Sequence, residues 1–558
     1  MAVSVGLKCA GLVTLLSLTA CKFEKVVESK QLIKYQSENK NAPHLGQVRF
    51  IMDGMGSLSL SGLFAQNLIP TKVYGTAFLT MGEGGVEKNK GKDFHRLMGN
   101  YGFMQPNTIQ NWRDDWAPQP KLDAPLGFIA GDLEGNILGR TLKLNISNVT
   151  CAACHSGMAY DSKGNPNGNA WIGSPNTSLN LDGFLNRVFK GLKKGMENEE
   201  AFLAAILKAY PETDPKEYKT IKNDIIPQVR KTLKKMVGME QAFNFNNGGP
   251  GITNGVGAFK RDANLSDRNH FDANEVGFVA IPDISLKGFR SSLTIDGGYG
   301  VPGKPRFEAI DEVRALDPEH ISDLANLAAF FTFSAMGNSL KNIEPHIPRV
   351  QEVFQFLKYH RAQPFPAEVD LAKANRGSEV YAQSCSKCHG TYTTGSNDPR
   401  LLSFPNRLVE QQYMGTDPKR WELVTPNIRA YAESNVMKKY VDAGVQSGGY
   451  TAPLLAGVWS SAPYFHNGSV PTLWHVLHPE SRPEIFELGG HAIDLEKVGI
   501  RGVQAGKEYV YPSDYKSWSN SSKYDTKEPG RSNKGHEKQF QNLTEEQKSA
   551  LIEYLKLL

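Results

Sequence analysis

The sequence predicts a mainly α-helical chain in two parts, with long loops and few short strands. Three observations lead there. Apolar residues recur at helical spacing over 179–196, 199–209, 217–242, 321–331, 348–359, 369–383 and 544–558. Alternating stretches are brief, at 142–146 and 278–281. Gly, Asn and Pro crowd 106–139 and 165–175, which makes those segments loops. The 558 residues exceed one ordinary domain. The Pro364-Phe365-Pro366 break sets the boundary between 46–365 and 366–558. The 63 basic residues barely exceed the 58 acidic ones and form no stripe, which argues against a nucleic-acid partner.

The N-terminus comes first. An uncharged apolar run fills 9–20 and is too short to span a bilayer comfortably. It fits the core of an export signal. Leu18-Thr19-Ala20-Cys21 follows and resembles a bacterial lipoprotein box. The expectation is a signal peptide over 1–20, a lipidated Cys21 and a polar tether over 21–45. The protein would then be exported, face the periplasm and hang from a membrane by its lipid, with the outer membrane favoured by Lys22 and Glu24.

Four cysteines remain, in Cys151-Ala152-Ala153-Cys154-His155 and Cys385-Ser386-Lys387-Cys388-His389. Each is a Cys-x-x-Cys-His motif, the attachment pattern of a c-type haem. Two thiols one helical turn apart add to the two vinyl groups of one porphyrin, and the adjacent imidazole reaches the iron. A thioredoxin-like redox pair or a four-cysteine zinc site needs no histidine after the second cysteine. The expectation is two covalent haems with His155 and His389 as proximal ligands, hence two c-type cytochrome domains. A helix leads into Cys385 and another closes the chain, its start marked by the Thr544/Gln547 capping box. Gly377 and Tyr554 suit the crossing of those two helices. Apart from the two haem motifs no internal repeat is visible.

Further on stand Pro453-Leu454-Leu455-Ala456-Gly457-Val458-Trp459 and then Ala462-Pro463-Tyr464-Phe465-His466-Asn467-Gly468. With these the chain resembles the bacterial di-haem cytochrome c peroxidase superfamily. Asn148–Gly157 around the first motif, Gly173-Ser174-Pro175-Asn176, Ser481-Arg482-Pro483 and Ser532–Glu537 resemble its larger branch, which contains the di-haem rubber oxygenases. The resemblance implies that Tyr464, Phe465 and His466 line the C-terminal haem. It also implies that His536, in a Gly-His-Glu loop, is the sixth ligand there. His478 is the less favoured candidate, and His466, His475 and His491 complete the set. The axial methionine of the compact peroxidases falls on Glu480, and their removable distal histidine on Trp171.

After His155 no histidine occurs until His270, so the first haem keeps an open face. Met158 is assigned to packing. No catalytic acid–base residue is identified; Glu212, Asp214 and Glu275 are acidic residues in plausible loops. The function expected is a peroxidase-like oxidoreductase, reducing hydrogen peroxide at the N-terminal haem with electrons relayed by the C-terminal one. The electron donor would be a small cytochrome c or a cupredoxin. The alternatives are a dioxygen-using haem dioxygenase and a non-catalytic electron-transfer cytochrome.

Overall fold

The computed structural model describes residues 30–54, 69–137, 140–238, 246–266, 275–336, 340 and 343–558. The signal segment and Cys21 lie outside the described residues. So does His270. The chain folds as a helix-rich mixed structure with small scattered sheets of two to four strands.

Residues assigned to the tether are helical over Lys30–Glu38 and Ala42–Met52. Leu32 and Tyr35 share one face of the first helix; Leu32 is buried and the Tyr35 hydroxyl donates to the Trp116 carbonyl at 2.8 Å. The polar composition of the segment hid that narrow apolar face. The second helix packs on Ile347–Leu357 so closely that a Cβ on Gly46 would meet the Glu352 carbonyl oxygen at 1.9 Å. Arg49 pairs there with both Asp53 and Glu352, and Arg349 reaches Asp53 at 2.5 Å.

Helices form at Leu181–Glu197, Glu199–Ala209, Pro318–Ala335, Ile347–Leu357, Leu371–Ser384 and Glu545–Leu555, close to their expected positions. The span 217–242 breaks into Pro215–Thr220, a π turn and Ile226–Lys235. The strands exceed expectation. Phe128–Ile137 and Arg140–Val149 form an antiparallel hairpin of ten residues a side, in register from Phe128↔Val149 to Ile137↔Arg140. Its first strand, with two Gly, Asp, Glu and Asn, has weak β-propensity and is held by pairing with the alternating Leu142, Leu144 and Ile146. The hairpin delivers the first cysteine motif.

The helices Leu371–Ser384 and Glu545–Leu555 cross at Gly377, where a Cβ would lie 2.0 Å from the Ala550 carbonyl oxygen and 2.9 Å from Tyr554 Cβ. Tyr381 packs on Tyr554 beside this point, and its hydroxyl donates to the Gly390 carbonyl at 2.9 Å. The apolar cores draw on both sides of residue 366: Phe289 and Ile310 join Tyr381, Trp459 and Tyr554, while Met437 and Val441 join Phe330.

Candidate functional site

Each cysteine pair sits on a single helical turn. In Cys151–Cys154 the turn is capped by Thr150, whose side chain accepts from Ala152 N–H. Gly127, at φ +81°, lies so close that a Cβ would meet Ala153 N at 2.0 Å, so only glycine lets the hairpin approach the turn. The second turn, Ser386–His389, continues from the helix Leu371–Ser384.

The two histidines that follow are held alike. His155 Nδ1 donates to the Pro282 carbonyl at 3.1 Å, and His389 Nδ1 donates to the Pro453 carbonyl at 3.0 Å. That bond fixes the tautomer and leaves Nε2 as the free nitrogen, the arrangement of a metal-binding imidazole. Burial lowers both, His155 to about 4. The segments beyond the prolines are also alike. The fourth residue on adopts a left-handed conformation (Leu286 φ +59°, Gly457 φ +66°), and a 3₁₀ turn follows at Lys287–Phe289 and Val458–Ser460. This repeat escaped the sequence reading because proline is the sole identity among the five residues Pro282–Leu286 and their counterparts Pro453–Gly457.

Both motifs open on one cavity of about 1040 Å³, lined by Cys151, Cys154, Cys385, Cys388, His155 and His389. Ordinary small-ligand pockets run to roughly 300–1,000 Å³. His536, Tyr464, Phe465 and His466 line the same space. Burial pushes the thiols up, to about 12 at Cys151 and Cys385 and about 11 at Cys154, and raises Cys388 as well. A thioredoxin-like site needs the opposite shift. Among the described residues no group of three or more His, Cys, Asp or Glu side chains could hold a single metal ion, which disposes of the four-cysteine zinc reading.

The His536 ring faces that of His389, with ring centres 6.5 Å apart and planes at 32°. Two imidazole nitrogens each about 2 Å from a shared metal put their ring centres roughly 6 Å apart, so the spacing fits one iron between them. His536 is stacked against Phe465 (5.4 Å) and Phe540 (5.7 Å), and its N–H donates to the Met414 carbonyl at 2.9 Å. Its φ of +62° and that of Phe465, +64°, are unusual for bulky side chains and mark a backbone held under strain. His536 Nδ1 is buried without a partner.

Of the other candidates, His475, His478 and His491 lie off the cavity, and His466 lines it. His478 is corrected: its Nδ1 bonds the Trp474 carbonyl at 2.7 Å and its Nε2 meets Glu545 at 2.9 Å, so neither nitrogen is free and it does not line the cavity. His475 bonds Thr472 and Gln504. His491 is buried off the cavity. His466 stacks on Tyr450 at 4.3 Å.

The cavity wall on the side of His155 includes the apolar Phe50, Leu185, Val256, Phe331 and Phe354, with Lys287 and Arg290 among its charged members. Among the described residues the cavity's only imidazoles are His155, His389, His466 and His536. Two thioethers line the cavity, Met336, which packs against the N-terminal core, and Met414. Trp171 points its Nε1 to the Arg361 carbonyl at 3.1 Å, and Met158 lies in the strand Ser156–Tyr160; neither lines the cavity. Nor do Glu212, Asp214 and Glu275: Asp214 caps Pro215–Thr220, and Glu275 pairs with Lys260 at 2.7 Å. The carboxylates that line it are Asp283 and Glu410.

Two curated relatives are similar over parts of the chain. The uncharacterized protein y4iM of Sinorhizobium fredii is 33% identical over 155 residues, 24% of this chain and 35% of that protein. The uncharacterized protein y4iJ of the same organism is 28% identical over 252 residues, 34% of this chain and 39% of that protein. The chain thus spans between a third and two fifths of the length of each. Residues 449–487, which carry Pro453, Tyr464, Phe465 and His466, match the family described as RoxA-like, cytochrome c-like, and this segment supports a c-type haem and a cytochrome c relationship to rubber-oxygenase-like proteins.

Proposed function

We propose that the protein is a haem c oxidoreductase holding two covalent haems of unequal role, one on Cys151, Cys154 and His155 and one on Cys385, Cys388 and His389. The observation that carries this reading is the His389–His536 ring pair at 6.5 Å, for which the first site has no counterpart among the described residues. Bound there, haem supplies one-electron transfer where both axial positions are filled and binding of dioxygen or peroxide where one stays free.

The chain's own residues set that difference. The Pro282 and Pro453 carbonyls hold Nδ1 protons and aim each Nε2 inward. Phe465 and Phe540 clamp His536 in place, closing the second site to small ligands. The apolar wall around His155 keeps water out and suits an apolar substrate beside dioxygen, an oxygenase-type activity. Asp283, next to Pro282 behind the imidazole, is badly placed for proton transfer on the open face, whereas cleaving peroxide calls for a group that moves a proton there. Peroxide reduction remains the second reading, favoured by the closed His389 site, which suits the relay of electrons from a small cytochrome c or cupredoxin. Export, lipidation at Cys21 and attachment to the outer membrane complete the proposal; among the described residues no helix is long and apolar enough to cross a membrane.

An absorption and electron paramagnetic resonance spectrum of the as-isolated protein tests the core of it. One low-spin and one high-spin haem per chain is expected, with carbon monoxide bound by one. Two low-spin haems that refuse carbon monoxide in every redox state would leave only the electron carrier.

A further inference from the structure

Two cations stand in the cavity wall with no carboxylate bonded to either of them among the described residues. Lys287 opens the 3₁₀ turn beyond Pro282 and Arg290 follows its end; both line the cavity. Arg290 is 7% exposed, yet its three hydrogen-bond partners are neutral: the Ala452 carbonyl at 3.1 Å, Thr451 Oγ1 at 2.6 Å and the Ser292 carbonyl at 3.4 Å. A guanidinium has five donors, so some remain to be used. Among the described residues Lys287 Nζ has no hydrogen-bond or ion-pair partner within reach. The carboxylate nearby is Asp283, which acts on the charge of Lys287; its Oδ1 accepts from Ser285 N–H at 2.6 Å and its Oδ2 is buried beside Gly457 without a hydrogen bond. Arg420, by contrast, has its own carboxylate, Asp296 at 3.0 Å.

Arg290 is buried and Lys287 half-buried, and a cation drawn away from water is costly unless it is paired. Burial pulls Lys287 down to about 8, with the neighbouring Arg290 adding to the shift and Asp283 opposing it, and burial pulls Arg290 to about 10. The repeat makes the placement specific. The positions equivalent to Lys287 and Arg290 in the second copy are Val458 and Ser461, and these also line the cavity. The same two positions therefore face the cavity in both copies and carry charge in the first alone.

We propose that Lys287 and Arg290 form a carboxylate-binding pair for the first site, taking the acidic propionate side chains of the macrocycle seated on His155. This rests on the haem reading above. One short segment thus positions the imidazole through Pro282 and neutralises the acids of the group that the imidazole holds. Charge-assisted bonds of this kind are the stronger class of hydrogen bond.

A crystal structure of the haem-loaded full chain tests it first: propionate oxygens within hydrogen-bond distance of Lys287 Nζ or the Arg290 guanidinium are expected. In solution, Lys287→Met should lower the reduction potential of the first haem, leave that of the second unchanged, and move the propionate bending band in the resonance Raman spectrum. Lys287→Arg should restore both. Propionates directed away from both side chains in the wild-type crystal overturn the proposal even if the methionine variant fails to fold. So does an unmoved band in a folded Lys287→Met protein. A chain with no haem on Cys151 and Cys154 would instead sink the functional reading itself.

Discussion

At the second motif the imidazole of His389 looks across 6.5 Å at a histidine wedged between two phenylalanines, whereas at the first the imidazole of His155 looks out among Phe, Leu and Val side chains. Below each ring the construction is the same: a proline carbonyl, a left-handed residue, a 3₁₀ turn. The copies even touch, through Asp283 against Gly457 and Arg290 on Ala452. The teaching is that the support beneath each imidazole is a repeated unit, while the two sites differ in what a remote loop brings to the other face, the difference on which the proposed unequal roles rest. For the second site that loop is 532–537, far along the chain. For the first there is no equivalent among the described residues.

The sharpest way to break this comparison is to remove one attachment point. Cys151→Ala with Cys154→Ala should halve the haem content measured by pyridine haemochrome and erase the high-spin signal, abolishing turnover. Loss of the low-spin signal instead would exchange the roles of the two sites. Next in size, His536→Ala should turn the remaining low-spin haem high-spin and let a second carbon monoxide bind, with the first haem's spectrum unchanged. An unaltered spectrum would remove His536 from the ligand set.

A structural change sharpens the same contrast. Gly377→Val forces a side chain onto the Ala550 carbonyl, where a Cβ alone would sit at 2.0 Å. Overpacking of this kind costs about 1–3 kcal/mol, occasionally more. Thermal melting followed at both haem bands should show the His389 site loosening first, because its motif is the direct continuation of the helix that carries Gly377. Simultaneous loss at both bands would mean the two sites unfold as one. The smallest effect is expected for Trp171→His. It puts an imidazole where the compact peroxidases carry their removable ligand, on a strand that here faces Arg361. The high-spin signal should persist, and its conversion to low-spin would show that the open face is within reach of that strand.

Much of this was legible beforehand. The Cys-x-x-Cys-His spacing marks both turns that line the cavity, and the Gly-His-Glu resemblance points to His536, whose ring lies opposite His389. The helix Glu199–Ala209 stands where its apolar spacing put it. Gly377 opposite Tyr554 followed from the need of two crossing helices for a small residue. What stayed hidden has physical reasons. The strand Phe128–Ile137 is stabilised by its partner and not by its own residues. The helix Lys30–Glu38 shows a face only two residues wide. Pro282 acts through a backbone carbonyl, which any residue possesses, so no side-chain pattern could mark it. The break at 364–366 reads as a boundary locally, yet the cores on either side exchange residues such as Phe289 and Met437.

The burial of the four thiols has a consequence for the order of events in maturation. Cys151 and Cys385 are pushed up to about 12 and open onto an interior wall. A protonated thiol is a poor nucleophile, and addition to a vinyl group proceeds through the thiolate. In the closed fold, then, the half-buried cysteines are less readily ionised than free thiols. If haem is attached as proposed, attachment would be favoured at an earlier stage, when the hairpin before Cys151 and the helix before Cys385 have yet to pack. Folding that runs ahead of attachment would trap an apoprotein that later supply of haem cannot rescue.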